Sequence, residues 1–218
     1  MLTDKEVIDF FTNEMILAKV NGKEDTLLAD QYHISAYPTL VMLDKNGNEI
    51  DRVVGYMPAD AFLKTLKDYR QGIGTLTDLL AKAKTNPDRS LAFKIAEKYK
   101  YRGGSEDATS WFQKVIDAGD PLDSLSGESR FALADMHYRA KKYNQALEAY
   151  SQIMKDYNGS FLAEPAEIWR AIVFRKMGDT TRAITAFEKF IEHYPESEDI
   201  SYAEKQIAKL KGEAEEEK

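Results

Sequence analysis

The sequence of 218 residues contains no cysteine. Disulfide bonds, thiolate metal sites and thiol nucleophiles all require cysteine, so this chain has none of them. No apolar run approaches the roughly 18 residues that a membrane helix needs, so we expect no membrane insertion. Acidic residues number 37 against 30 basic ones, which gives a net charge of −7. Because phosphate attraction needs a basic surface, we expect no nucleic-acid partner.

Residues that carry out catalysis or bind metals are also scarce. The three histidines are His33, His137 and His193, and none has a histidine or carboxylate partner at a metal-binding spacing. The glycines of 72–74 lack the following glycine and lysine of a phosphate-binding loop, and no serine-nucleophile motif occurs. We therefore expect no catalytic residue, no metal and no cofactor within this sequence.

Residues 1–72 mix helix and strand patterns and are interpreted as one domain. Thr3 and Glu6 fit a capping box at the start of a short apolar helix. Strands are predicted at 15–20, 39–43 and 49–54. The second is nearly all apolar, as is typical of a strand buried on both faces. Asn46-Gly47 then predicts a hairpin turn into the third strand.

Residues 73–212 are helical in pattern and repeat internally. Three columns recur at spacings of 38 and 37 residues: Ala96, Ala134 and Ala171; Ala108, Ala146 and Ala183; and Phe112, Tyr150 and Phe187. Small residues suit close helix crossings, and the aromatic residue fills the gap to the next unit. We predict helix pairs at about 88–118, 127–157 and 164–194, a capping helix at 199–211 and an acidic tail at 213–218.

These columns resemble tetratricopeptide repeats, a family with small and aromatic residues at fixed positions. The matching residues are Leu133, Ala134, His137, Ala146 and Tyr150, and then Ala171, Phe174, Ala183, Phe187 and Pro195. Residues 192–197 resemble bacterial extracytoplasmic versions. The resemblance implies a concave groove that binds a protein or peptide partner, lined here by Phe93, Glu97, Phe131, Asp135, Tyr138, Ile168, Ile172 and Arg175. Because Glu97 and Asp135 are acidic, an apolar or basic segment fits this groove better than a terminal carboxylate.

The stretches 32–40, 43–47 and 52–56 resemble the C-terminal portion of a thioredoxin fold. The resemblance implies a cis-proline loop formed by Tyr37, Pro38 and Thr39, which in that family faces the redox cysteines. The Cys-x-x-Cys half of the family pattern is missing from this sequence. Either it lies upstream in the gene product or this lineage has lost it.

The resemblance also implies that the strand between 15–20 and 39–43 is missing. Two arrangements follow: the two strands pair directly in a three-stranded sheet with 49–54, or the exposed edge pairs with a second copy as a homodimer. We favour the closed three-stranded sheet, because it satisfies the backbone without depending on concentration.

The fold class expected is a truncated α/β thioredoxin-like domain followed by an all-α tetratricopeptide-repeat solenoid. Two functions stay open. The leading one is a non-enzymatic scaffold for protein binding. The alternative is a thiol-disulfide oxidoreductase, with a role in cell redox homeostasis, whose cysteines lie upstream. With no signal peptide visible after Met1, the expected location is cytoplasmic, or the periplasm or envelope if an upstream signal exists.

Overall fold

A computed structural model describes residues 2–212, in which eleven helices and two strands follow one another along the chain. The chain divides into two units, Met1–Trp111 and Phe112–Lys218. The change of composition near residue 72 falls inside the first unit, and the assignment of domains to 1–72 and 73–212 stays a prediction. The acidic tail predicted at 213–218 lies outside the described residues. No helix among residues 2–212 is long and apolar enough to cross a membrane.

The first unit contains the sheet and the first five helices. Its elements are α1 (Lys5–Glu14), α2 (Thr26–Gln31), β1 (Thr39–Leu43), β2 (Glu49–Val54), α3 (Ala59–Arg70), α4 (Leu76–Thr85) and α5 (Arg89–Tyr101). The next helix, α6 (Ser105–Asp117), includes the boundary between the units at residue 111. Helix α1 is capped by Asp4 rather than by the predicted Thr3. The Asp4 carboxylate accepts hydrogen bonds from the backbone N–H groups of Glu6 and Val7, which leaves Thr3 without a capping role.

Strands β1 and β2 form the predicted antiparallel hairpin. Thr39 lies opposite Val54, and the register is regular as far as Met42 opposite Asp51, where a bulge follows. The turn is closed by Asp44, whose carboxylate accepts from the backbone N–H groups of Asn46 and Asn48 at 2.8 and 2.9 Å. These hydrogen bonds, the Asn48 one foremost, hold the pKa of Asp44 below its usual range. Gly47 has a φ of 83°, which the turn requires.

The strand predicted at Met15–Val20 does not form, and the three-stranded sheet we favoured is wrong. The sheet in the described residues has two strands. Met15 packs against the core, but Ile16 is 99% exposed and Val20 is 48% exposed. The segment then reaches Gly22, which lies against the ring of Tyr37. The apolar composition of residues 15–20 favours a strand. Without a neighbouring strand, however, their backbone N–H and C=O groups gain no hydrogen bonds from an extended conformation.

One face of the hairpin packs on α1 and α3. The buried residues of this core are Val7, Phe10, Phe11, Met42, Val53, Phe62, Leu63 and Leu66. They come from two helices and both strands, so each helix contributes an apolar stripe at helical spacing.

A buried carboxylate joins β2 to the helices that follow the hairpin. Asp51 is fully buried, and its Oδ1 accepts from the Lys98 ammonium at 2.8 Å and from the backbone N–H of Arg52 at 2.7 Å. Its Oδ2 accepts from the N–H of Leu76, the first residue of α4, at 2.7 Å. The guanidinium of Arg102 lies 3.1 Å from Oδ1. Asp51 therefore fixes the start of α4 and the end of α5 against the strand.

The neighbouring Arg52 extends this network. Its guanidinium binds both carboxylate oxygens of Glu49, at 2.8 and 2.5 Å. Its Nη1 also donates to the carbonyl oxygens of Tyr32 at 2.9 Å and Tyr101 at 2.5 Å. Because a buried cation is costly unless paired, these contacts lock the loop after α2 and the end of α5 to one side chain.

The second unit is helical throughout its described part. Besides the end of α6 it contains α7 (Ser124–Arg139), α8 (Tyr143–Asp156), α9 (Ala163–Lys176), α10 (Thr180–His193) and α11 (Ile200–Lys211). Each helix from α7 to α11 packs on the next along the chain. Ala134, Ala146, Ala171 and Ala183 are fully buried, as their column spacing predicts. Gly127 lies so close to Leu162 that a Cβ atom there would be 2.3 Å from the Leu162 Cδ1.

Replacing Asp51 with alanine should lower the free energy of unfolding by about 3–5 kcal/mol, because Lys98 would keep its largely buried charge without a carboxylate partner and Arg102 would retain only Glu49. The matched control is Asp68→Ala, which removes a surface pair with Lys64 at 2.6 Å and should cost less than about 1 kcal/mol. Urea unfolding measures both. Equal losses in the two variants would contradict the role given to Asp51.

Replacing Ala146 with leucine should lower the free energy of unfolding by about 1–3 kcal/mol, because the fully buried site has no room for three more carbons. The control is Gln145→Leu on the exposed side of the same helix. Thermal and urea unfolding of both variants test this. If the two leucines have the same effect, the crossing at Ala146 is not closely packed.

Candidate functional site

The Pro38 loop connects α2 to β1 and is tied to the end of β2. The Tyr37–Pro38 peptide bond is cis. The Pro38 carbonyl accepts from the N–H of Gly55 at 2.8 Å, and the Thr39 hydroxyl donates to the Ala36 carbonyl at 2.7 Å. Tyr37 is 56% exposed. The loop thus presents an aromatic ring and backbone groups, and with no thiol in this chain it has no redox chemistry of its own. Its role as a site stays a prediction.

The three histidines lie apart in the chain and have different surroundings. His33 has a φ of 50°, and its ring lies against Gly103. His137 is half-buried in α7. The Nδ1 atom of His193 lies 3.0 Å from both carboxylate oxygens of Glu167, which is 2% exposed. Within residues 2–212 no three acidic or histidine side chains are grouped as a metal site would need.

A cluster of aromatic rings links α7, α8 and α9 in the second unit. The Tyr138 ring packs edge-on against Trp169 with centroids 5.2 Å apart, and Trp169 stacks on Tyr150 at 6.4 Å. Phe131 meets Tyr150 edge-on at 5.4 Å. Burial raises the pKa of both Tyr138 and Tyr150. Tyr150 is fully buried, whereas Phe131 and Tyr138 remain partly exposed.

Charged groups lie beside this cluster. The Asp135 carboxylate accepts from Arg139 at 2.8 Å, one helical turn along α7. Arg175 lies near enough to Tyr138 to influence its titration, and it donates through Nη1 to the side-chain oxygen of Gln206 on α11. The Nε of Arg175 is buried and has no hydrogen-bond partner in the described part of the chain. Arg175 therefore has donor capacity that the described residues do not fill.

The eight residues expected to line a groove are distributed over both units. Phe131, Asp135 and Tyr138 on α7 and Arg175 on α9 lie in the second unit and are partly exposed, and we call them the α7–α9 surface. Ile168 and Ile172 are 4% and 9% exposed in a core with Ala203 of α11, so neither lines a surface. Phe93 and Glu97 lie on α5 in the first unit, where both are partly buried.

Sequence reasoning missed two residues that shape this surface. Trp169 packs between helices, and nothing in the sequence pattern indicates that it would support Tyr138. Nothing in the sequence distinguishes Gln206, because a polar residue on a terminal helix is typical of a solvent-exposed face. Its place is fixed by the packing of α11 on α10 and by the hydrogen bond from Arg175.

Comparison with known families now bears on these units. Residues 1–70 match the model of a thioredoxin-like domain, and residues 128–160 and 166–197 match that of a tetratricopeptide repeat. The chain joins a thioredoxin-like segment to tetratricopeptide repeats. The helix pair predicted at 88–118 lies outside both matches. The expected fold class is confirmed: a small two-stranded α/β part is followed by a helical repeat part.

Similar proteins agree with each part. Thioredoxin of Chlamydia caviae is 31% identical over 64 residues, which are 29% of this chain and 62% of that protein. Thioredoxin 1 of Synechococcus elongatus is 36% identical over 61 residues, 28% of this chain and 56% of that protein. The chain thus spans about three-fifths of the curated relatives that it matches. The crystal structure of MamA shares the fold with a TM-score of 0.52 and 20% identity, covering 73% of this chain and 88% of MamA.

Proposed function

We propose that this chain is a non-enzymatic scaffold that binds a peptide segment of a partner protein on the α7–α9 surface. The observation that carries the proposal is Arg175, a half-buried cation whose charge acts on Tyr138 and whose Nη1 donates to Gln206. A guanidinium presents five N–H donors in a fixed plane, and a peptide carbonyl is a fitting acceptor for them.

The rest of the surface indicates which kind of segment fits. Phe131 and Tyr138 are partly exposed rings, the first packed on buried Tyr150 and the second on Trp169, and together they offer a base for an apolar side chain. Asp135 is held by Arg139 in an i,i+4 pair of the sort worth about 0.3–0.5 kcal/mol. A basic group of the partner would displace Arg139 at little cost. We therefore infer an apolar segment that carries a basic residue.

The test is selection of peptides from a random phage-displayed library against the full chain. Arg175→Ala should weaken the selected peptides roughly tenfold or more, because a charge-assisted hydrogen bond is worth about 1.5–3 kcal/mol. The matched control is Lys176→Ala, which removes the same charge at the next, exposed position of α9 and should change affinity less than about twofold.

Fluorescence anisotropy with labelled peptides gives the affinities, and circular dichroism melting shows whether each variant is folded. Selected peptides should be rich in apolar and basic residues. Peptides that bind Arg175→Ala and unmodified chain equally well, with both proteins folded, would place the binding surface elsewhere. Failure to enrich any sequence would count against peptide binding altogether.

The matched thioredoxins favour a second candidate, a thiol-disulfide oxidoreductase whose cysteines would lie outside these 218 residues. A strand-like run followed by Cys-x-x-Cys, read in frame upstream of the Met1 codon in genomic DNA, would support it. The absence of such a run would favour the scaffold.

The purified chain of 218 residues should not reduce insulin disulfides, because a thiolate is the nucleophile in that exchange and the chain has no cysteine. Insulin precipitation in the presence of dithiothreitol measures the activity, with a cysteine-containing thioredoxin as the positive control. Precipitation faster than the buffer background would overturn this expectation.

A further inference from the structure

Strand β1 has an edge that no other described segment covers. The Gly55 N–H donates to the Pro38 carbonyl at 2.8 Å, which makes this pair a hydrogen-bonded one. Because such pairs alternate along an antiparallel ladder, Leu40 and Met42 also bond to β2, and the residues between them do not. The backbone groups of Thr39 and Val41 therefore point away from β2, toward the free edge.

The opposite edge of the sheet is occupied by the first unit itself. The Arg52 N–H donates to the Asp51 carboxylate at 2.7 Å, and the Arg52 carbonyl accepts from the Tyr69 hydroxyl at 3.5 Å. The Ile50 carbonyl accepts from Arg102 at 3.4 Å. The two edges thus differ: the outer edge of β2 is satisfied by the side chains of its own Asp51, of Tyr69 on α3 and of Arg102 after α5, whereas the edge of β1 has no such partner among the described residues.

The open edge of β1 lacks the features that usually prevent an edge strand from pairing with a strand of another molecule. Residues 39–43 include no charged residue and no proline, and the bulge of the hairpin lies on β2 rather than on β1. Leu43 at its end is 38% exposed, and Ile16 in the segment after α1 is 99% exposed. An uncharged strand with unpaired backbone groups favours another strand as its neighbour.

We propose that this neighbour is β1 of a second copy, paired antiparallel with the two Val41 residues facing each other on a two-fold axis. Thr39 of one chain then lies opposite Leu43 of the other. This register pairs all five residues of the strand, and the free N–H and C=O groups of each copy meet those of its counterpart. Shifting the register between the two β1 strands by two residues would keep the same side chains on each face of the sheet, but it would pair fewer residues.

The arrangement also continues the core. An antiparallel pair related by this axis keeps the side chains of facing residues on one side of the sheet. Leu40 and Met42, which pack toward α1 and α3, would then lie beside the same residues of the second copy. The result is a sheet of four strands in the order β2, β1, β1, β2, with the ionic network of Asp51 at each outer edge.

The register gives a sharp test, because residue 41 faces itself. Val41→Lys and Val41→Glu each place like charges opposite one another, so each variant should be monomeric where the unmodified chain is dimeric. An equimolar mixture of the two variants should restore a dimer, because lysine then faces glutamate. The matched control Leu27→Lys adds the same charge at an 83% exposed leucine of α2 and should leave the dimer unchanged.

Light scattering after size exclusion, over a dilution series, measures the mass, and circular dichroism verifies that each variant is folded. A folded chain that is monomeric at all concentrations overturns the proposal. So does a dimer that survives both single substitutions, or one that the mixture fails to restore.

Hydrogen exchange of the unmodified chain gives an independent readout if the variants fail to fold. The Thr39 and Val41 amides should be protected at high concentration and lose that protection on dilution. Protection that does not depend on concentration would mean that another segment covers the edge, and the second copy would be excluded as its occupant.

Discussion

The buried carboxylate of Asp51 is the constraint on which the first unit depends. A charge without solvent is costly unless cations and N–H groups surround it, and here those partners come from α4, from α5 and from the residue that follows α5. The strand, the start of α4 and the end of α5 must therefore adopt one arrangement to satisfy one side chain. This gives a physical reason why the first unit extends to Trp111, well past the end of the thioredoxin-like match at residue 70.

Periodic features of this fold could be predicted from the sequence, and features that depend on distant partners could not. The alanine columns and the Asn46-Gly47 turn follow from local chemistry, and the structure has both. Asp51, by contrast, sits in a strand whose pattern gives it no reason to be buried. Its partner Lys98 lies 47 residues away, and no local pattern connects the two. Met15–Val20 failed for the opposite reason: its composition suits a strand, but pairing needs a neighbour that the segment does not have.

The residues assigned to the groove by family resemblance differ in whether they are exposed. Phe131, Asp135, Tyr138 and Arg175 keep some exposure. Ile168 and Ile172 occupy equivalent positions one repeat later, but Ala203 and its neighbours on α11 share their core. A terminal helix that seals an apolar end removes surface from the repeat beside it. Family position indicates which face a residue is on, and only the packing of the last helix decides whether that face stays open.

The two proposed surfaces lie in different units, and each would strengthen the effect of the other. Pairing through β1 would double the number of α7–α9 surfaces in one particle. A partner with two binding segments then gains from effective concentration, provided that its own linker spans the two surfaces, whereas a partner with a single segment gains nothing. A single short peptide is expected to bind this half-buried aromatic surface weakly. A partner with two such segments would nevertheless be bound firmly. Pairing of two β1 strands would in this way make the α7–α9 surface selective for bivalent partners.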